Sequence, residues 1–166
     1  MTSALREAKD TLTSAIGSKP TIKNKNEGGS GGTDFTLTHG NHAVTEVHVW
    51  VDKGSANWSD RDLVKAIQVT WSDGKVSTVK GNSDNHNEAI FSFEDAEKVK
   101  DMTLHTGDRV DKIAFNTTQD NDFAAGGEYG SAHDQKVGNG VLLGFKGSFN
   151  SEELISLGSI FDEDHK

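Results

Sequence analysis

Apolar positions alternate with polar ones along most of this chain. In TEVHVWV, residues 45–51, Val47, Val49 and Val51 fall on one face, the period of two that sets one side of a β-strand against a core. Runs rich in β-branched and aromatic residues predict further strands over 64–71 (VKAIQVTW), 75–80 (KVSTVK), 88–93 (EAIFSF), 98–104 (KVKDMTL), 110–117 (VDKIAFNT), 140–145 (GVLLGF) and 154–161 (LISLGSIF), with a shorter one at QKVG. Ser72-Asp73-Gly74 is a hairpin turn signal. The period changes only near the N-terminus, where Ala4, Leu5, Ala8, Leu12, Ala15 and Ile16 recur at helical spacing before Gly17. This predicts a short amphipathic helix over 3–16, followed by a linker, 17–27. A helix so short needs a surface to lie on; packing on the domain is favoured over a docking or dimerisation role. The expected organisation is helix and linker over 1–26, a strand domain over 27–162 and a tail, 163–166.

An internal repeat organises the strands. Aliphatic-x-x-aliphatic opens three of them, at Val64–Ile67, Val110–Ile113 and Leu154–Leu157, spaced 46 and then 44 residues apart. Three glycine-bearing turns, Gly28-Gly29-Ser30-Gly31-Gly32, Gly81-Asn82-Ser83-Asp84 and Gly126-Gly127-Glu128-Tyr129-Gly130, accompany them. Three degenerate copies of a four-strand unit predict pseudo-threefold symmetry, with three small sheets around one core.

Composition narrows the function. One domain fits 166 residues; 18 Gly and 1 Pro with strand patterning suit an all-β fold with many tight turns. A net charge of −9 without any Lys/Arg cluster excludes a nucleic-acid partner. The absence of Cys removes disulfides, thiolate metal sites and a Cys nucleophile together. No apolar run is long enough for membrane insertion and the first residues lack a signal-peptide core, so a cytoplasmic location is expected, with non-classical release left open. On that expectation the sequons at Asn57 and Asn116 stay unmodified.

GGSGGTDF, VKAIQVTWSDG, GDRVDKIAFNT, FAAGGEYGSAHD and GVLLGFKG…LISLGSIF occur in that order across about residues 27–161. Together they resemble the jacalin-related lectins. The resemblance implies an all-β fold, a β-prism of three Greek-key sheets, and carbohydrate binding without catalysis. It also implies sites in which a Gly-x-x-x-Asp loop faces a Gly-Gly turn from an adjoining unit. Such residues suit sugars: a carboxylate accepts from neighbouring hydroxyls, backbone amides donate to oxygens, and glycine allows close approach. The family's usual site lies in the last hairpin, with an aspartate after the leucine leaving the turn. Here Ile155 follows Leu154, and the first copy has Lys65 in that slot, although Asp60 and Asp62 lie just upstream.

Only the second copy is complete. The resemblance assigns Gly107, Asp108, Arg109, Val110 and Asp111 as the loop, with Asp111 the acceptor and the amides of Asp108 and Arg109 the donors. It assigns Gly126, Gly127, Glu128 and Tyr129 as the facing turn, with Tyr129 stacking or capping. A weaker second candidate is the last hairpin tip, Phe149, Asn150, Ser151, Glu152 and Glu153, with Gly28 and Gly29.

Each has a structural counterpart. Asp111 caps loop amides or pairs with Arg109, Gly126-Gly127 simply permits a tight turn, and both glutamates point to solvent. Trp50 and Trp71 read as core or sheet-face residues, and Trp58 as a surface one. His39, His42 and His48 come closest to a cluster, without metal-ligand spacing, and Asp120-Asn121-Asp122 lacks the distal Glu of a calcium loop. No metal, cofactor, catalytic triad or P-loop is therefore expected. The family's galactose-specific members place a processed N-terminus at the site, whereas 27 residues precede Gly28 here, which favours mannose or glucose. Weak single-site affinity would call for several sites or a homo-oligomer such as a dimer. The rival expectation is a β-prism that has lost sugar binding and serves as a protein-interaction or structural module.

Overall fold

The computed structural model describes residues 20–163; the helix expected over 3–16 lies outside them. These residues form three antiparallel sheets. The first contains β4 (Val44–Lys53), β5 (Asp62–Trp71), β6 (Lys80–Gly81) and β7 (Asn87–Ser92) in the order β6-β5-β4-β7. The second contains β8 (Val99–Thr106), β9 (Val110–Thr117), β10 (Asp122–Gly126) and β11 (Ser131–Asp134) in the order β10-β9-β8-β11. The third joins early strands β1 (Thr21–Lys23), β2 (Glu27–Gly28) and β3 (Thr33–Leu37) to late strands β12 (Leu142–Phe149) and β13 (Leu154–Asp162). Its order is β1-β13-β12-β3, with β2 also on β13.

The inner faces share one core. Val47, Val49 and Ile67 from the first sheet meet Leu104, Ile113 and Phe115 from the second and Phe145, Leu154 and Leu157 from the third, all buried. Trp71 is buried as expected and donates its indole N–H to the Leu143 carbonyl at 3.0 Å, tying the first sheet to the third. Trp50 is also buried, stacked on His48.

The threefold repeat is explicit in the backbone. Gly28, Gly81 and Gly126 have φ of 130°, 102° and 130°. A Cβ on them would stand 2.4, 2.2 and 2.0 Å from the carbonyl oxygens of Ile155, Lys65 and Asp111. Each following amide (Gly29, Asn82, Gly127) donates to that same carbonyl, at 3.0, 2.8 and 2.9 Å. Only glycine has both the backbone freedom and the missing atom this contact requires. The three slots read from sequence are thus three equivalent places in space.

Three local expectations are corrected. Residues 75–80 form no continuous strand: Val76 makes one bridge to Thr70, and Ser77 then binds Val69 with both its amide and its hydroxyl, so a side chain replaces part of the ladder. QKVG is not a strand, because Gln135 turns inward to accept from the Ser159 amide and hydroxyl. The stretch read as linker contains β1 and the first residue of β2, anchored by Asn24, whose side chain donates to the carbonyls of Lys136 and Ser159.

Candidate functional site

The three loops that enter β5, β9 and β13 come together at one end of the sheets, and they differ in chemistry. In the second sheet, Gly107 and Asp108 are exposed, while Val110 is buried and anchors the start of β9 in the core. The Gly107 amide closes the turn on the Arg109 carbonyl at 3.0 Å. Asp111 is only 2% exposed. Its Oδ2 lies in a notch at Gly130 (φ 88°), where a Cβ would approach to 2.5 Å.

Burial raises the Asp111 pKa. The Arg61 charge, the Gly107 amide and His105 oppose that rise without cancelling it. The carboxyl is therefore an acceptor surrounded by glycine on a low-dielectric floor, where a charge-assisted hydrogen bond is stronger than in water.

The turn Gly126–Tyr129 lies beside this loop, not from an adjoining unit, as the sequence suggested, but in the same sheet: Lys112 pairs with Gly126. Its contact with an adjoining sheet is through Gly127, where a Cβ would stand 3.0 Å from the Asp62 carbonyl. The third sheet contributes too, since a Cβ on Gly29 would stand 2.3 Å from the Asp108 carbonyl. Glu128 is exposed and pairs with Lys112 at 3.3 Å. Tyr129 is 47% exposed, and the Arg61 guanidinium stands 4.4 Å from its ring centroid. Arg61 thus belongs to the neighbourhood of Asp111 and was not singled out from sequence. Its signal was positional: in a threefold repeat, the first loop must border the turn of the second sheet.

The other two slots are closed by a buried ion cluster. Glu153, expected at the solvent, is fully buried. Its Oε1 accepts from Lys65 Nζ at 3.0 Å and from the Ser55 amide at 3.1 Å. Its Oε2 accepts from the Ser55 hydroxyl at 2.7 Å and from Arg109 Nε at 3.3 Å. Burial would raise the Glu153 pKa, but the hydrogen bonds from Ser55 and Lys65 and the Lys65 charge outweigh it and hold the carboxylate below its usual range. Lys65 is itself buried and also donates to the Lys53 carbonyl at 2.9 Å.

Arg109 consequently turns its side chain away from Asp111 and lies over Trp58, 4.1 Å from its ring centroid. The expected Asp111–Arg109 pairing is replaced by Arg109–Glu153. Trp58 is only half-buried, on a short 3-10 turn, Ala56–Trp58. At the last hairpin tip, Asn150 accepts the amides of Glu152 and Glu153 at 2.8 and 2.9 Å. This Asx-type turn leaves Ser151 and Glu152 exposed and directs Glu153 inward. Phe149 packs on Phe35, and Ile155 fills the space above Gly29 and Gly32. Neither slot presents a free carboxylate.

Three sheets in pseudo-threefold array, with glycine turns on the loop ends, define a β-prism of the lectin type. Residues 24–160 match the family model described as Jacalin-like lectin domain. The chain belongs to that family: it is a carbohydrate-binding type of domain and not an enzyme. A sequence search of curated proteins returns no match.

Similar solved structures include lamprey immune protein, with TM-score 0.74 and 24% identity over 92% of this chain; the match spans only 47% of that protein. Artocarpin in a mannotriose complex has TM-score 0.69 and 16% identity over 87% of this chain and 97% of its own. AcmJRL, a mannose-binding jacalin-related lectin from Ananas comosus, has TM-score 0.69 and 19% identity over 84% of this chain and 96% of its own. At these identities the likeness is one of fold.

Proposed function

We propose that the domain binds mannose- or glucose-type glycans, free or on glycoproteins, reversibly and without a metal ion, through Gly107–Asp111 and Gly126–Tyr129. The observation that carries this reading is that Asp111 is the one carboxylate among three equivalent slots, with glycine on two sides of it. The mannose named for artocarpin and for the Ananas lectin supports the sugar class. One such site binds weakly, because few contacts offset the cost of association; a homo-oligomer, in the simplest case a dimer, supplies avidity.

A second reading, a β-prism that has lost sugar binding and acts as an interaction or structural module, is favoured by one observation. Asp111 is nearly fully buried, as a carboxylate that only caps its own loop would be. Titrating mannose into 15N-labelled protein separates the two. The lectin reading expects shifts at the amides of Gly107–Asp111 and Gly126–Tyr129. Silent amides together with a blank glycan array establish the second reading instead.

A further inference from the structure

The opposite end of β5 from Asp62 carries a cluster that sugar binding does not use. His39 and His42 lie in the connection between β3 and β4, and Asp73 in the turn after β5. His39 Nε2 is 2.7 Å from Asp73 Oδ2, and His42 Nε2 is 3.8 Å from the same oxygen. The three candidate ligand atoms all lie within 4.8 Å of one another. The imidazoles stack with centroids 4.7 Å apart.

We propose that His39, His42 and Asp73 form a binding site for a divalent transition-metal ion of the zinc class. Two imidazoles and one carboxylate are a donor set such ions favour over calcium or magnesium. Zinc bonds of about 2.0–2.2 Å place neighbouring tetrahedral ligands about 3.3 Å apart, and the observed 2.7 and 3.8 Å bracket that spacing. Coordination needs a side-chain adjustment, not a new fold.

The surroundings orient the ligands. The Lys75 amide donates to Asp73 Oδ1 at 3.0 Å, leaving Oδ2 for the imidazoles. His42 Nδ1 lies 3.2 Å from the Ser72 hydroxyl, the outer hydrogen bond that fixes a ligating histidine and leaves Nε2 for the metal. On binding, the His39 ring proton resides on Nδ1, and the Nε2···Oδ2 hydrogen bond gives way to coordination of the ion by both atoms. All three side chains are partly exposed, so water completes the coordination shell.

His48, His86 and His133 each face one carboxylate, Glu88, Asp52 and Glu27 respectively. They are internal controls. Zinc titration of the full chain, followed by calorimetry and by histidine ring NMR, is expected to show one-site binding with His39 and His42 signals moving together and those of His48 and His86 still. His42→Ala and Asp73→Asn are expected to weaken binding by at least about 10-fold, and His48→Ala or His133→Ala to leave it unchanged. No binding overturns the proposal. So does binding that persists in His42→Ala, or that disappears in His48→Ala or His133→Ala. Ring NMR of the unmutated chain decides the matter even if a variant misfolds.

Discussion

The loop entering β9 and its two symmetry mates share one backbone and divide their chemistry. All three set a glycine at positive φ against the carbonyl of the slot residue, yet only one slot residue is an aspartate. Asp111 sits among glycines with its pKa raised by burial. Glu153, a neighbour on the third loop, is held low by Lys65 and Ser55. Both carboxylates are buried; among the described residues, one has no cation in direct contact and the other has two. The difference separates a group available to a ligand from one committed to the fold: a carboxylate serves as an acceptor for something else only when no built-in donor saturates it.

The largest effect should come from the committed carboxylate. Glu153→Ala strands Lys65, which is buried, and is expected to cost about 3–5 kcal/mol in denaturant unfolding; a loss near zero would show that the cluster does not join the loops. Asp111→Asn should act in the opposite sense. Sugar affinity falls about 10–100-fold, the worth of a charge-assisted hydrogen bond of about 1.5–3 kcal/mol. Unfolding stability at neutral pH holds or rises, because a desolvated charge is removed. An Asp111→Asn protein that binds mannose unchanged would remove the distinction between the loops.

Gly126→Ala is expected to cost about 1–3 kcal/mol from backbone strain, plus the clash with the Asp111 carbonyl. Gly74→Ala also sits at positive φ (91°, against 130° for Gly126) with open space around it, so it measures backbone strain without a clash. If the two variants lose equal stability, the close approach contributes nothing.

The pH dependences carry opposite signs. The depressed Glu153 contributes stability at pH above its unfolded-state value, lost as pH falls through the lower native one. The raised Asp111 contributes at pH below the unfolded value, and its share is lost as pH rises through the raised native one. If Asp111 is the proposed acceptor, sugar binding needs its ionised form and should fade on acidification at a pH above that of an ordinary carboxylate. Arg61→Ala, the mildest change, should move that midpoint upward, since the Arg61 charge now lowers the Asp111 pKa. A midpoint that stays or falls would place Arg61 outside the site's electrostatics.

Much of this was legible in the chain. Strand periodicity, the 46- and 44-residue repeat and the glycine turns determined a three-sheet all-β fold, because period-two patterning and positive-φ glycines are local requirements written residue by residue. Lys65 and Ile155 at two of three slots already singled out Asp111. Side-chain destinations across 30 or more residues were decided only by the tertiary structure. Glu153 reads as a turn residue until Lys65 and Arg109, 88 and 44 positions away, are folded against it. His39 and His42 read as near neighbours without metal-ligand spacing until a hairpin turn brings Asp73 to them. Local conformation follows from the residue and its neighbours, whereas electrostatic partnership depends on which loops the closed prism places together, and the closure belongs to the whole chain.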